Sequence, residues 1–270
     1  MDDLTNWPAI TCLCPTYGRF ERLRDAVACF LLQDYLGEKE LLILNDAPRE
    51  ISVRVGYAPG QIVWWSPQWH LAINNLPLRL ETVGHKRQAL LQAAQTPLVA
   101  HWDDDDIYLP WHLSACVEAL LGYPLATCAK PGAACFVTGP RQGPFQCRGI
   151  HHNVFEGQMV FRRERALELG GYPPKDSGQA KALLDAFGRA GELHEWNPAD
   201  AHVSYVYRWG DGLDHVSARK DATRDADFGR GEPLISAGVQ EPRTWAAERL
   251  QPVFRALAEG APRLRTWLAG

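Results

Sequence analysis

The segment at residues 99–110 reads VAHWDDDDIYLP, a short apolar run that leads into four consecutive carboxylates, Asp103–Asp106. The apolar residues 97–100 are typical of a buried strand. Neighbouring Asp side chains repel one another and have low strand propensity, so the acidic run is expected in the loop after the strand. Carboxylate oxygens in such a loop suit a hard divalent cation, Mg²⁺ or Mn²⁺. The same residues are equally compatible with a solvated acidic turn, or with Asp106 as the cap of a following helix.

Two earlier apolar runs end in polar loops in the same way. Residues 10–14 stop at Pro15, and residues 41–44 stop at Asn45-Asp46. Between them, apolar side chains at helical spacing predict a helix over residues 22–32. A strand-helix-strand order favours a parallel sheet with a right-handed crossover, and ligands bind beyond the carboxyl ends of its strands. The two loops and the acidic run are therefore expected to converge on one edge of the sheet.

The remainder of the chain continues the α/β pattern. Helical periodicity predicts helices at residues 85–94, 111–121, 163–169 and 177–190. Apolar or alternating runs predict strands at residues 62–65, 126–137, 154–162 and 203–209, the second with a break at Pro131-Gly132. Residues 52–80 are otherwise irregular, with a turn at 74–77. Two helical stretches between residues 244 and 268, broken at Pro252 and Pro262, predict a C-terminal cap.

The composition is that of an ordinary globular chain. Of the 270 residues 46% are hydrophobic and 22% charged, and the net charge of −4 excludes a strongly basic nucleic-acid-binding protein. The seven Cys residues, an odd number without a CxxC pair, suit buried thiols in a reducing compartment better than disulfides or a zinc site. No apolar run is long enough to cross a membrane, and the acidic start Met1–Leu4 is unlike a signal peptide. We therefore expect a cytoplasmic protein.

Six short motifs follow one another along the chain. They are Pro15-Thr16-Tyr17-Gly18-Arg19, Asn45-Asp46, Gly84-His85-Lys86-Arg87-Gln88, Asp103-Asp104-Asp105, Arg162-Arg163 followed by Gly170-Gly171-Tyr172-Pro173, and Tyr207-Arg208-Trp209 leading to His215-x-Ser217. In this order they resemble the GT-A-fold, family 2-like glycosyltransferases, which are inverting and metal-dependent. The resemblance extends over residues 9–217. It implies an α/β fold with a Rossmann-like, mostly parallel central sheet flanked by helices, and a C-terminal helical extension.

The resemblance also implies how the chain is divided. A GT-A domain would occupy residues 1–217, in which about 1–110 form the nucleotide-sugar half and 111–217 the acceptor half. Residues 218–270 would form a charged loop and the C-terminal helical extension. The acceptor stays open between a glycan, a lipid-linked group and a nucleic acid. Residues 130–152 are locally basic, which suits an anionic acceptor or a solvated loop.

For the donor, the resemblance implies a nucleotide-sugar, most often a UDP-sugar, and transfer with inversion. Mn²⁺ or Mg²⁺ would be held by Asp105 with Asp103 and His215, and would neutralise charge on the departing diphosphate. The nucleotide contacts would comprise walls for the base (Pro15, Thr16, Tyr17), partners of the base edge or phosphate (Arg19, Arg87), an acceptor for a base N–H (Asp46), and Gly84, Asp103 and Asp104.

Alternation along the chain predicts different roles within the acidic run. Asp103 and Asp105 are expected to face the nucleotide and the metal, with the ribose hydroxyls as an alternative partner of Asp103. Asp104 is then expected to point toward the sugar or solvent, and Asp106 toward the following helix.

An inverting transfer needs a carboxylate that takes the proton of the acceptor hydroxyl. The family has an Asp for this in the helix after Gly-Gly-Tyr-Pro, where this chain has Ala180. Three explanations stay open: Asp176 takes the role, the protein is inactive or acts on another substrate, or position 180 carries a deliberate Asp-to-Ala change. Two alternative classes also stay open. One is a nucleotide-sugar-binding pseudoenzyme; the other is a nucleotidyltransferase, which would show an early Gly-rich phosphate loop where this chain has only Gly18.

Overall fold

The computed structural model describes residues 7–48, 50–51, 62–66, 69–138, 146–152, 156–209 and 242–260. Within these residues the helices are α1 (Phe20–Leu32), α2 (Val83–Ala93), α3 (His112–Gly122), α4 (Arg163–Glu168), α5 (Gln179–Arg189) and α6 (Pro242–Gly260). None of them is both long and apolar enough to cross a membrane. His215, Pro262 and the charged segment 219–232 lie outside the described residues.

The strands form two sheets. They are β1 (Ile10–Thr16), β2 (Lys39–Asn45), β3 (Ile62–Ser66), β4 (Trp69–Asn75), β5 (Leu98–His101), β6 (Ile107–Tyr108), β7 (Cys128–Pro131), β8 (Ala133–Thr138), β9 (Gln146–His152), β10 (Val160–Arg162), β11 (Leu193–Trp196) and β12 (Tyr205–Trp209). The central sheet has the order β11-β7-β10-β5-β1-β2-β4-β3. Its middle strands β5, β1, β2 and β4 are parallel, while β10 and β3 run antiparallel to their neighbours. The predicted mostly parallel sheet is confirmed.

Strands β1, β2 and β5 of this sheet are buried on both faces. In β1, Cys12 and Cys14 belong to one hydrophobic cluster and Leu13 between them belongs to another, because successive side chains of a strand point to opposite faces. Helices α1, α3 and α6 contribute to the first cluster, and α2, α4 and α5 contribute to the second. Double burial explains why residues 10–14 are continuously apolar rather than alternating.

The smaller sheet, in the order β6-β12-β8-β9, connects to the central core through α6. This helix contacts both α1 and β9, and its Leu250 and Leu257 are fully part of the core. On its outer side, Arg249 Nη2 lies 3.0 Å from Glu21 Oε2 of α1. The described part of the C-terminal extension is therefore packed on the main core. The domain boundary after residue 217 stays a prediction.

Two predicted elements differ from the structure. The strand predicted at 126–137 is interrupted at Pro131-Gly132 as expected, but its two parts are separate strands, β7 and β8, in different sheets; between them, Gly132 donates its N–H to the carbonyl of Trp196 at 2.6 Å. The helix break predicted at Pro252 does not occur, since α6 runs through this residue. Core contacts on both sides of the proline offset the backbone hydrogen bond that it removes.

Four strands, β4, β6, β9 and β11, are not predicted by the sequence patterns. Strand β4 contains His70, Asn74 and Asn75, so its sequence lacks a strand pattern. Its backbone nevertheless pairs along its whole length with β2. Strands β9 and β11 lie at sheet edges and contain no fully buried residue, so they lack an apolar run. Within the strand predicted at 154–162, the described residues Glu156–Gln158 form a 3₁₀ turn and only β10 is extended.

Candidate active site

A cleft of about 340 Å³ opens where β1 and β5 end, beside the first turns of α2 and α5. This volume is within the range of small-molecule sites. The cleft is lined by Pro15, Thr16, Tyr17, Arg19, Val83, Lys86, Arg87, His101, Asp103, Asp105, Asp106, Glu156, Gly157, Asp176, Ser177, Gly178, Gln179, Ala180, Tyr205 and Tyr207. The loop after β1, the acidic run and the start of α5 thus meet at one edge of the sheet.

Asp103 and Asp105 line the cleft, and an arginine holds each of them. Arg87 Nη2 donates to Asp103 Oδ1 at 2.6 Å, and His101 Nε2 lies 3.2 Å from Asp103 Oδ2. Arg19 Nη1 donates to Asp105 Oδ2 at 2.6 Å. Hydrogen bonds between two charged groups are the strong ones, so both carboxylates are fixed in direction.

Asp104 and Asp106 are buried, and both accept hydrogen bonds from other elements. Thr16 Oγ1 donates to Asp104 Oδ2 at 2.6 Å, and the Asp104 residue is 1% exposed. Asp106 accepts the backbone N–H of Arg208 at 3.1 Å and the hydroxyl of Tyr205. The predictions that Asp104 points toward sugar or solvent, and that Asp106 points toward the following helix, are wrong. The chain turns at this point, so the alternation of an extended strand does not apply.

The acidic run carries more negative charge than its buried surroundings favour. Burial raises the pKa of Asp103 to about 6; Arg87 opposes this shift, and the carboxyls of Asp105 and Asp104 reinforce it. Burial, together with the neighbouring carboxyls, also raises the pKa of Asp106 well above its usual range. A cation bound beside these groups would favour their charged forms.

The first turn of α2 contributes cations that pair with carboxylates. Lys86 forms an ion pair with Asp46 and donates to the carbonyl of Thr16 at 3.2 Å. Burial lowers the pKa of Lys86, and Asp46 opposes that effect. Asp46 also accepts the N–H of Leu80 at 2.9 Å, is 1% exposed and lies outside the cleft lining. These ion pairs offset the unfavourable position of a cation at a helix N-terminus.

Tyr17 and Gly84 occupy different places relative to the cleft. The ring of Tyr17 lines it, and the Arg79 guanidinium lies 4.6 Å from the centre of this ring. Gly84 lies outside the lining; its N–H donates to the carbonyl of Lys175 at 2.9 Å, and a Cβ there would overlap the carbonyl of Pro173. Gly84 therefore allows α2 to approach the segment that leads into α5.

The predicted base position lies at the cleft without a proton acceptor. Helix α5 begins at Gln179, after Gly178 in a left-handed conformation with φ of 69°. Ala180 follows in the first turn, lines the cleft and is 4% exposed. Asp176, the alternative candidate, also lines the cleft, where its Oδ1 accepts the N–H of Val83 at 3.3 Å.

The lining residues that were not assigned to the site from the sequence include four with polar side chains, His101, Glu156, Tyr205 and Tyr207. The two tyrosines are alternate residues of β12, and the alternation at 203–209 was the available signal for a shared surface. Glu156 belongs to the 3₁₀ turn that packs against α5. No periodicity indicates that turn, because its residues adjoin an apolar run that predicts a strand.

Comparison with solved structures shows the fold. A structure of S. aureus TarS 1-349 in complex with UDP-GlcNAc is 13% identical over 93% of this chain and 72% of that chain, with a TM-score of 0.55. A second structure of S. aureus TarS 1-349 is 12% identical over 94% of this chain and 72% of that one, with a TM-score of 0.51. The mannosyltransferase PcManGT from Pyrobaculum calidifontis, in complex with GDP-Man and Mn²⁺, is 18% identical over 95% of this chain and 77% of that chain, with a TM-score of 0.49.

No protein-family model matches the chain, and the search of curated proteins finds no match either. At such low identities the structural similarity establishes architecture alone. The mixed α/β architecture, with its mostly parallel central sheet flanked by helices, is that of the GT-A glycosyltransferases.

Proposed function

We propose that the protein is an inverting glycosyltransferase whose donor is a nucleotide-sugar, specifically a UDP-sugar. The observation that carries this proposal is the pair Asp103 and Asp105 in a cleft at the carboxyl edge of the central sheet, where α/β proteins bind their ligands. The GT-A architecture supports it, as does the UDP-GlcNAc bound by one of the structures with a similar fold.

Asp103 and Asp105 would hold Mn²⁺ or Mg²⁺. Their carboxylate oxygens are ligands that these ions prefer, and the crowding of buried carboxyls favours a cation, so the residues fit the ion. Among the described residues no group of three or more ligand side chains comes together, and His215, assigned as the third ligand, lies outside them. When bound, the ion would neutralise charge on the diphosphate leaving group.

The chain's own residues would bind and orient the donor. Tyr17, with Pro15 and Thr16, would form the wall against which the base lies. Arg19 and Arg87 would bring positive charge to the diphosphate while they hold the metal-binding carboxylates. Asp46 and Gly84 would act from behind this lining: Asp46 either accepts a base N–H or orients Lys86, and Gly84 sets the approach of α2. Asp104 would fix Arg19.

The acceptor would enter beside the first turn of α5. Strand β9, which lies in the segment predicted to be basic, exposes Arg148, His151 and His152. An anionic acceptor, such as a lipid-linked phosphate or a nucleic acid, would suit this strand better than a neutral glycan. We assign the reaction to the cytoplasm.

A nucleotide-sugar-binding protein without transfer activity is the second candidate. The observation that favours it is Ala180, because a methyl group at the predicted base position cannot accept a proton.

Titration calorimetry with UDP and Mn²⁺, followed by an assay for UDP release from a panel of UDP-sugars, tests the proposal. We expect Mn²⁺-dependent binding that weakens at least tenfold in Asp105→Asn and is unchanged in Glu164→Gln, which removes an exposed carboxylate of α4. Failure to bind any nucleotide would overturn both candidate functions. Binding without release from any donor would favour the second.

A further inference from the structure

The cleft needs a proton acceptor if the proposed transfer occurs, and the following inference rests on that proposed function. The described carboxylates that line the cleft are Asp103, Asp105, Asp106, Glu156 and Asp176. A base must have an oxygen that is available to the acceptor hydroxyl. The hydrogen-bond partners of each carboxylate therefore decide between them.

The three aspartates of the acidic run that line the cleft already accept hydrogen bonds from other residues. Asp103 and Asp105 each accept from an arginine, and both belong to the proposed metal site. Asp106 is 2% exposed and accepts from Tyr205 and from a backbone N–H. A carboxylate that accepts two hydrogen bonds in a buried position is poorly placed to receive a third group.

Asp176 lies toward the nucleotide side of the cleft. Its Oδ1 accepts the N–H of Val83 at the start of α2. It also lines a smaller adjoining hollow together with Tyr17 and Arg79, the side proposed for the base of the donor. An acceptor hydroxyl must approach the sugar from the side opposite the diphosphate, because inversion requires attack from the opposite face. Asp176 is therefore a less suitable catalytic base than its sequence position, four residues before Ala180, indicates.

Glu156 does not line that smaller hollow, and the turn that carries it lies next to the proposed metal site and α5. The adjacent Gly157 is so close to the acidic run that a Cβ on it would lie 3.4 Å from Asp103 Oδ2 and 2.8 Å from Tyr205 Oη. The 3₁₀ turn that carries Glu156 packs against α5, whose first turn contains Ala180. The carboxylate of Glu156 makes no hydrogen bond or ion pair with another residue in the described part of the chain.

We propose that Glu156 is the catalytic base and replaces the carboxylate that Ala180 lacks. The acceptor oxygen forms a bond to the anomeric carbon of the sugar while the bond from that carbon to the diphosphate oxygen breaks. The bonding electron pair leaves with the nucleoside diphosphate. The proton of the acceptor hydroxyl passes to a carboxylate oxygen of Glu156 and is later lost to solvent, so the step balances without another reactant.

Glu156 would supply the missing carboxylate from a different element, because the position that the family uses is Ala180 in this chain. In this chain the carboxylate is on the turn that α5 covers, instead of on α5 itself, and the small side chain of Ala180 leaves room at the junction. Tyr207 of β12 also lines the cleft, and burial together with nearby carboxylates, Glu156 among them, raises its pKa. Its hydroxyl therefore stays protonated and does not compete as a base.

The test compares Glu156→Gln with Asp176→Asn, using the full chain, Mn²⁺ and the UDP-sugar from which the parent releases UDP fastest. We expect Glu156→Gln to lower the turnover number by about 100-fold or more, the usual contribution of a general base, while the affinity for UDP changes less than threefold. The loss for Asp176→Asn should be at least tenfold smaller. Glu164→Gln controls for the general effect of a Glu-to-Gln change, because this exposed glutamate lies outside the cleft.

Chemical rescue separates a base from a structural residue. Glu156→Ala should regain turnover when sodium formate is added, because a small carboxylate can enter the space left by the side chain, whereas Asp176→Asn should not respond. An unchanged turnover number in Glu156→Gln, or a larger loss in Asp176→Asn, would overturn the assignment while leaving the glycosyltransferase proposal intact. A parent that binds UDP but releases none from any donor would overturn the transferase proposal and this assignment with it.

Discussion

The carboxylate of Asp104, unlike those of Asp103 and Asp105, has a structural role. We expect Asp104→Asn to lower the free energy of unfolding by about 2 kcal/mol, because Asp104 is buried and the Arg19 guanidinium loses the charge of this carboxylate. The milder change Thr16→Val removes one hydrogen bond and should cost about 1 kcal/mol. Urea denaturation followed by circular dichroism measures both. Equal stability of Asp104→Asn and the parent would contradict the buried pairing.

Burial also makes a histidine sensitive to acid. It lowers the pKa of His112 from 6.5 to about 3, while Ser204 Oγ lies 3.0 Å from its Nδ1. Between these two values the unfolded chain binds a proton that the folded chain does not, so the free energy of unfolding falls as the pH falls through this window. His112 contributes at most about 1.4 kcal/mol per pH unit to the slope of the free energy of unfolding against pH.

The variant His112→Asn isolates this effect. Other buried groups titrate with either sign; Asp103, whose pKa is raised to about 6, contributes a gain in stability as the pH falls. These contributions are common to the parent and the variant, so the difference between their slopes reports His112 alone. Denaturant titrations at pH 7, 6, 5 and 4 should give a steeper loss in the parent. Parallel stability curves would show that His112 is accessible to protons in the folded state.

At the scale of single elements, Gly84 sets the distance between α2 and the segment before α5. We expect Gly84→Ala to cost about 2 kcal/mol of stability, because its Cβ would meet backbone rather than a movable side chain. Since α2 carries Lys86 and Arg87 into the cleft, UDP affinity should fall about tenfold. Gly122→Ala in α3 is the matched control, because a Cβ there meets nothing within 4 Å.

Thermal unfolding and calorimetry distinguish the outcomes for the two glycine variants. A loss of stability without a loss of UDP affinity would show that α2 does not orient the cleft. Comparable effects of Gly84→Ala and Gly122→Ala would show that the close approach at Gly84 relaxes without cost.

The sequence predicts the buried strands of the central sheet better than the strands nearer its edges. Strands β1, β2 and β5 are buried on both faces, so their apolar runs are visible in the sequence. Strands β4 and β11 are held by backbone pairing with a neighbour, which leaves no pattern in the side chains. The acidic run is predictable as the loop after β5. The direction of each of its carboxylates is not, because direction depends on Arg19, Arg87 and Arg208, which are distant in sequence.

For the whole molecule, α6 and the central core are expected to unfold together. Leu257 is fully buried in the same cluster as residues of α1, so Leu257→Ala should cost about 3 kcal/mol and shift one cooperative transition to lower temperature. Glu259→Ala, an exposed change two residues away, should have almost no effect. Calorimetry that resolves a separate transition for the C-terminal region would instead support an independent extension after residue 217.

The site as a whole depends on information that no single motif contains. Three of the motifs contribute Thr16, Arg87 and Asp105 to the cleft lining, whereas Asp46 and Gly84 lie outside it. The candidate base depends on packing between α5 and a turn that the chain reaches more than twenty residues earlier. Ala180 marks what is missing in the sequence, but only the contact between these elements brings Glu156 into consideration.

The pairing of α6 with α1 has a consequence for how the protein is made. Arg249 and Glu21 are 228 positions apart, and at about 5–20 residues per second the ribosome needs roughly 10–45 s to produce the second after the first. Throughout that interval the apolar face of α1 has no cover from its eventual partner. The packing of α1 against α6 is therefore completed only near the end of synthesis.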